Sequence, residues 1–319
     1  MREKESNRPW DDLELRILIK EWPRSRGKDH LTKLLPGRSW KAINNKASNL
    51  DIKKMDISSV PIKNGNVVKG DFSSLEGNKF RFGVVSDTHF GSRYAQITWL
   101  HSFYKILEQR GVKTCFHAGD LSDGNGDHYL GQLQEMHLVG GDNLRNFVVD
   151  HYPRFKGGKT YAISGWHDLD LWTREGYDLL ENVAKERDDI VYLGQNDATF
   201  ILGDRKVYLL HPAGGTAYAM SYHIQKLVEG FDSGEKPHIA LVGHYHRAEF
   251  IPFLRNVCCF QTGNFQWKTP FAIRKKLQWQ YGGWIVEMIT SKNGIISIKP
   301  EFIPFYAPID RDYLNYKER

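Results

Sequence analysis

The fold of this 319-residue chain is most constrained by one repeated local pattern, runs of apolar, β-prone residues that each stop at aspartate, histidine or glycine. Residues 80–85 lead into Asp87-Thr88-His89, residues 113–117 into Gly119-Asp120, and residues 160–163 into Gly165-Trp166-His167-Asp168. Residues 206–210 precede His211, and residues 238–242 precede Gly243-His244-Tyr245-His246. Each run has the length and residue types of a strand. Residues 97–109 place apolar side chains at helical spacing between the first two, so strands and helices alternate as in an α/β sheet. Ligand sites in such sheets form beyond the carboxyl ends of the strands. The pattern therefore predicts a metal site divided among five loops. Carboxylate with imidazole suits Mn²⁺, Fe or Zn²⁺, and no cysteine belongs to the set, which excludes a thiolate zinc site. A single histidine can equally cap a strand or satisfy a buried carbonyl; the ordered set points to a metal.

Composition limits what carries this site. At 40% hydrophobic residues, a chain of this length can bury a full α/β core beside something smaller. No stretch approaches the roughly 20 apolar residues that span a bilayer. The opening MREKESNRPW lacks a signal-peptide core, so a soluble, cytoplasmic protein without membrane contact is expected. Of three cysteines, Cys258 and Cys259 are neighbours, which makes a disulfide framework improbable and fits a reducing compartment. A homo-oligomer is left open.

The formal net charge is +6, and residues 1–54 hold 14 Lys and Arg against 8 Asp and Glu, so the whole excess lies there. Such asymmetry favours an acidic polymer as partner, an ordinary solvated basic face being the alternative. Asp11 can cap a helix running through Leu13, Ile17 and Leu18 to about Trp22, where Pro23 and Gly27 end it. A second helix spans residues 28–35, Pro36-Gly37 turns, and Ser39 caps a third helix with Trp40, Ile43, Ala47 and Leu50 at helical spacing. Trp10, Trp22 and Trp40, with the run Leu-Pro-Gly-Arg-Ser-Trp-Lys-Ala-Ile-Asn-Asn-Lys-Ala, resemble the Myb/SANT-like group of helix-turn-helix domains over residues 8–54. That resemblance implies DNA as partner, with Arg38, Lys41, Asn44, Asn45, Lys46 and Asn49 of the third helix facing it. Asn can bind adenine bidentately, and Lys or Arg can bind guanine or phosphate. A SANT-type module that binds protein is the alternative. Residues 55–79 read as a linker, interrupted by a short strand at residues 66–68.

The five ordered clusters resemble the calcineurin-like metallophosphoesterase family over residues 80–300. The resemblance implies a two-sheet α/β/β/α sandwich, preceded here by the three-helix head, with a domain at 80–302 and a tail at 303–319. It also implies two divalent metal ions, Mn²⁺ first among them, that activate water against phosphorus. On it, Asp87, His89 and His246 hold one metal, Asp120 bridges, and His211 with His244 hold the other. His167 would assist the leaving oxygen, with Asp168 placed to orient it. Trp166 departs from the pattern, because the family has there an Asn whose carbonyl binds the second metal, whereas an indole offers only an N–H donor. Either water replaces the amide oxygen and leaves a weaker second metal, or the chain is an inactivated form.

Other features leave alternatives. Gly214-Gly215 beyond His211-Pro212 reads as a phosphate cradle or a plain turn. Residues 262–268, with Arg274, Lys275 and Lys276, mix aromatic and basic groups as single-strand-binding surfaces do, or form a dimer contact or solvated loop. His117, His128, His137, His151 and His223 are read as structural or surface residues. Hydrophobic segments at residues 284–289 and 295–298 are read as antiparallel strands of a second sheet. Three functions remain: a phosphodiesterase or nuclease acting on DNA, a non-catalytic DNA-binding adaptor that keeps the fold, and a phosphatase or cyclic-nucleotide phosphodiesterase acting on small substrates.

Overall fold

A computed structural model describes residues 8–22, 28–50, 67–69, 78–232 and 234–316. The chain divides into two compact units, Met1–Ile62 and Lys63–Arg319. Most of the expected linker, residues 55–66 and 70–77, lies outside the described residues, as do the helix-ending Pro23 and Gly27. The short strand expected there is present as β1, Val67–Lys69.

In the first unit, α1 (Asp12–Glu21), α2 (Lys28–Leu34) and α3 (Trp40–Asn49) pack around Leu18, Trp22, Leu31, Leu35, Ile43 and Ala47. Asp11 and Glu14 form a reciprocal capping box on α1, and Ser39 accepts from the Ala42 amide at 3.2 Å to start α3. Trp22 stacks on Trp40 with centroids 5.7 Å apart. The structure corrects one expectation. Arg38 faces inward, 4% exposed, with its guanidinium on Glu14 at 2.7 Å, on the Arg8 and Pro9 carbonyls, and 4.5 Å over the Trp10 ring. An Arg tied this way fixes the fold of the unit and is not free to meet DNA. Lys41, Asn44, Asn45 and Asn49 are exposed and Lys46 half-exposed, while Ile43 and Ala47 face the core.

In the second unit, β2 (Lys79–Val85), β3 (Thr114–Ala118), β4 (Lys159–Ser164) and β5 (Ile190–Gln195) are parallel neighbours. The β6–β7 hairpin (Asp197–Leu202, Arg205–Leu210) continues into β8 (Ile239–Val242), β9 (Ala248–Leu254) and β10 (Val257–Thr262). Long antiparallel strands β11 (Gly282–Ser291) and β12 (Gly294–Pro304) complete the sheets, ordered β12-β11-β2-β3-β4-β5 and β1-β6-β7-β8-β10-β9. The helices are α4 (Ile97–Gln109), α5 (Gln132–Glu135), α6 (Gly141–His151), α7 (Asp168–Glu175), α8 (Leu179–Glu186), α9 (Tyr222–Glu229) and α10 (Pro270–Arg274).

Side-chain alternation builds the layers. Val84, Phe116 and Ile163 meet Phe200, Leu209, Leu241 and Phe260 between the sheets, whereas Val85, Cys115 and Ala162 pack with Leu100, Phe147 and Val183 of α4, α6 and α8. Ala240, Val242 and Cys259 turn the other way, toward Ile224 and Val228 of α9. The result is the expected α/β/β/α sandwich. Two assignments change. β11 pairs antiparallel with β2, so the C-terminal strands extend the first sheet and not the second, because Trp284, Val286 and Met288 continue the apolar face that Phe82 and Val84 begin. The stretch expected as a tail is also packed: Phe305 stacks on Trp99 at 5.8 Å, and buried Asp312 accepts from the Thr98 amide at 2.7 Å. Among the described residues no helix is long and apolar enough to cross a membrane.

The inward Arg38 generates a prediction. Its hydrogen bond holds Glu14 below the usual glutamate range against the opposing effect of burial. A carboxyl depressed in the folded state stabilises above its unfolded value, about 4.3, and this contribution is lost as pH falls through the lowered folded value. Arg38→Ala should cost the first unit about 3 kcal/mol. Amide-exchange protection at Leu18 and Ile43 should collapse in the variant and, in the parent chain, weaken below that pH; unchanged protection in both would show the pair to be dispensable.

Candidate metal centre

The site is made where chains leave parallel strands. Asp87 and Asp120 each lie two residues beyond β2 and β3, His167 three beyond β4, His211 one beyond β7 and His244 two beyond β8. Asp87, His89, Asp120, His244 and His246 all have left-handed backbones, φ between 48° and 78°. Non-glycine residues rarely adopt this conformation, and they keep it here because the surrounding hydrogen bonds over-determine it. The Asp87 amide donates to the Gly119 carbonyl at 2.9 Å, those of Thr88 and His89 to the Asp120 carbonyl at 2.9 and 3.2 Å, and that of His244 to both Asp87 oxygens at 3.2 and 3.1 Å. Two glycines make room for this crowding. A Cβ on Gly165 would stand 2.2 Å from Asp120 Oδ1, and one on Gly119 would stand 2.4 Å from His211 Nδ1.

Three clusters result: Asp87, His89 and His246; Asp120, His211 and His244; and His89, Asp123 and His167. The first two are the ligand sets expected from the sequence, and Asp120 lies close enough to Asp87, His89 and His246 for their charges to act on one another. Their imidazoles are fixed as metal ligands would be. His211 Nδ1 must donate to the Ala118 carbonyl at 2.7 Å and His244 Nε2 to the Gly214 carbonyl, since a carbonyl can only accept. His89 Nδ1 is 3.0 Å from Asp123 Oδ1, which leaves its Nε2 facing His246 Nε2 at 3.2 Å. His211 Nε2 lies 2.9 Å from Asp120 Oδ2 without hydrogen-bond geometry, and buried His246 Nδ1 has no partner. Lone pairs held this close to each other and to carboxylate oxygens call for a cation between them. The residues present fit a pair of divalent ions.

The charges tell the same story. Burial works against ionised Asp87, but His246 and His211 hold it down at about 2, and Asp120 is held well below the carboxylate range against its own burial by His211 and His167. Burial likewise opposes a proton on His211, yet Asp120 lifts it to about 9. His244 is pushed down to about 4 by burial and by His211, so it is neutral and able to ligate. The buried carboxylates thus draw positive charge toward themselves.

The third cluster is a hydrogen-bonded triad, and it corrects the role expected for Asp168. Asp123 Oδ1 is 3.0 Å from both His89 Nδ1 and His167 Nδ1, whereas Asp168 accepts from the amides of Leu121, Ser122 and Gly165 at 3.0, 2.7 and 2.9 Å and from Ser122 Oγ at 2.9 Å. Asp168 ties the β3 loop to the β4 loop; Asp123 orients His167. The local signal was present, a second carboxylate three residues after Asp120 in the same loop. His167 also donates its amide to Asp120 Oδ1 at 2.9 Å, and Asp120 with Asp123 raise its imidazole to about 10 against the effect of burial. His128 packs on the His167 ring with centroids 4.0 Å apart, so it belongs to the site and not to the bare surface. His117, neutral because burial holds it near 3, meets Thr88 Oγ1 at 3.2 Å and is structural as expected.

These groups floor a cleft of about 390 Å³ whose lining also includes Gly214, Gly215, Thr216, Tyr129, Phe271, Lys275 and Trp279. The Gly214 carbonyl accepts from His244 Nε2, which ties this part of the lining to a metal-ligating ring. Phe265 is core, buried against Phe103 and Phe305, whereas half-buried Trp267 packs on Tyr281. Trp166 is half-buried, with its Nε1 buried and unpartnered, between Gly165 and His167.

A profile of the calcineurin-like phosphoesterase superfamily domain matches residues 80–263. The chain belongs to this superfamily. The matched segment runs from β2 to just past β10 and contains every residue of the three clusters. Members are metal-dependent, in agreement with the donor sets. No curated protein matches the chain in sequence. Among solved structures it is similar to a Vps29 variant from Entamoeba histolytica (14% identity, 71% of this chain and 100% of that one, TM-score 0.33). It is also similar to a 5'-nucleotidase from Candida albicans (12% identity, 76% and 54%, TM-score 0.34) and to GAP50 of Plasmodium (12% identity, 72% and 85%, TM-score 0.38). Likenesses at this level carry no conclusion about function.

Removing the charge of Asp123 should loosen both imidazoles it holds. Asp123→Asn is expected to lower metal affinity and phosphoester hydrolysis by about 10- to 100-fold, the usual cost of losing a group that orients a ligating histidine. Bound metal measured by mass spectrometry after dialysis, alongside the rate, checks this; parent-like values for both would remove Asp123 from the site.

Proposed function

We propose that this protein is a metal-dependent phosphodiesterase that cleaves DNA, brought to its substrate by the N-terminal helices. The convergence of six aspartate and histidine ligands from four strand ends, with the His211 and His89 rings held through Nδ1, carries the hydrolytic half. When bound, divalent ions at such a centre supply Lewis acidity and a water ionised near neutral pH, and Mn²⁺ suits the oxygen and imidazole set. His167, protonated and held through Nδ1 by Asp123, keeps Nε2 4.0 Å from Asp120 Oδ2 and can give its proton to the departing oxygen.

The DNA half is supported by the charge of residues 1–54 and by α3, a Myb/SANT-like recognition helix in this reading. Its exposed Lys41, Asn44, Asn45 and Asn49, with half-exposed Lys46, form one face suited to a major groove, now without Arg38. Linking such a unit to a hydrolase raises the local concentration of phosphodiester at the cleft.

Trp166 favours a second reading, an adaptor that keeps the fold without turnover. An indole cannot ligate, and a buried N–H without a partner costs about 1–3 kcal/mol. One experiment separates the two. With Mn²⁺, the parent chain should nick long duplex or single-stranded DNA, and Trp166→Asn should raise second-site metal content and rate about tenfold. Lys41→Glu with Lys46→Glu should slow DNA cleavage about tenfold at physiological salt, and less at low salt. Absence of cleavage in both the parent and Trp166→Asn would leave the adaptor reading; cleavage indifferent to the lysines and to salt would remove the DNA assignment of the head.

A further inference from the structure

The cleft holds more aromatic surface than phosphoester chemistry requires, from Tyr129, Phe271 and Trp279. Tyr129 and Phe271 stack with centroids 4.2 Å apart and planes 21° from parallel, and buried Glu135 fixes both, accepting from the Tyr129 hydroxyl at 2.6 Å and from the Phe271 amide at 3.3 Å. In the same cleft Trp279 packs on the His246 ring at 4.2 Å. Lys275 also lines the cleft and is exposed. Flat rings clamped beside the ligands, with a cation next to them, form a surface for stacking a planar group attached to a phosphate.

The second observation lies across α10. This short helix sends Phe271 into the cleft and Ile273, 60% exposed, into a neighbouring groove of about 600 Å³ lined by Arg93, Lys268, Arg311, Tyr94 and Tyr313, with Asp310 also in its wall. Lys268 and Arg311 have no carboxylate within ion-pair distance among the described residues, whereas Arg93 is spent on the Met136 carbonyl at 2.8 Å. α10 thus contributes to both depressions, and the second carries more positive than negative charge.

We propose that the cleft takes an unpaired polynucleotide strand. The scissile phosphate lies at the metal centre, one base stacks on the Tyr129–Phe271 pair or on Trp279, and the strand continues over α10 so that a later phosphate meets Lys268 and Arg311. Paired bases have their faces covered by their neighbours, so only an unpaired strand can use these rings. The inference rests on the phosphodiesterase reading above and narrows its substrate.

Photo-crosslinking of the full chain tests it without turnover. A single strand of about twelve nucleotides, within the site sizes of stacking surfaces, carries 5-iodouracil and is irradiated with the protein in excess chelator. Crosslinked peptides are then mapped by mass spectrometry. Crosslinks should fall on Trp279, Phe271 or Tyr129, and the same sequence as duplex should give them about tenfold less. In Lys268→Gln with Arg311→Gln the cleft crosslink should drop about tenfold at equal strand concentration. Crosslinks confined to other residues, or equal yields from duplex, would overturn the proposal, and an unchanged yield in the double variant would overturn the path over α10. Hydrolysis of bis(4-nitrophenyl) phosphate with Mn²⁺, measured in parallel, reports on the hydrolase reading itself. Hydrolysis without cleft crosslinks sinks this inference and spares that reading, while cleft crosslinks without hydrolysis of any diester do the reverse.

Discussion

Asp120 is 1% exposed and ionised, and almost everything else at the site follows from that cost. A carboxylate without water needs positive charge or donated protons around it. Here the His167 amide donates to it at 2.9 Å, and the His167 and His211 rings stand 4.0 and 2.9 Å away; they arrive from β4 and β7, strands of different sheets. His211 reaches across the sandwich only because its Nδ1 is anchored on the Ala118 carbonyl at the end of β3. The two sheets therefore converge at one point, and that point is a sink for cations.

The left-handed turns at Asp87, Asp120 and His244 serve the same end. A strand that simply continued would carry its next side chains to alternate faces. The turn bends each chain over the strand ends instead, so that carboxylates and imidazoles from separate loops aim at shared space. Such conformations cost about 1–3 kcal/mol each. The hydrogen bonds between the β2 and β3 loops, and from the His244 amide to Asp87, offset that cost and transmit it to the core beneath. Trp166 stands inside this framework with a side chain unable to ligate, at the position where the family resemblance places an Asn ligand.

The strands and their ligands could be read from the chain because each strand is local and each ligand sits at a fixed offset beyond it. α4 begins and ends where its periodicity predicted, at Ile97 and Gln109. What could not be read depended on distant partners. Arg38 looks like a groove-facing residue until Glu14, 24 positions earlier, is seen to claim it. Asp168 follows His167 directly yet turns to the β3 loop, leaving orientation of the ring to Asp123, 44 positions upstream. The sheet that β11 joins depended on which edge was free, and the aromatic residues near 265 were divided between core and cleft by α10, whose five residues carry little signal of their own.

The central claim is that two cations share Asp120. Anomalous diffraction from crystals soaked in Mn²⁺ tests it most directly. Two peaks are expected, one among Asp87, His89 and His246 and one between His211 and His244, both within coordination distance of an Asp120 oxygen. A single peak away from Asp120, or density only between His89, Asp123 and His167, would contradict it.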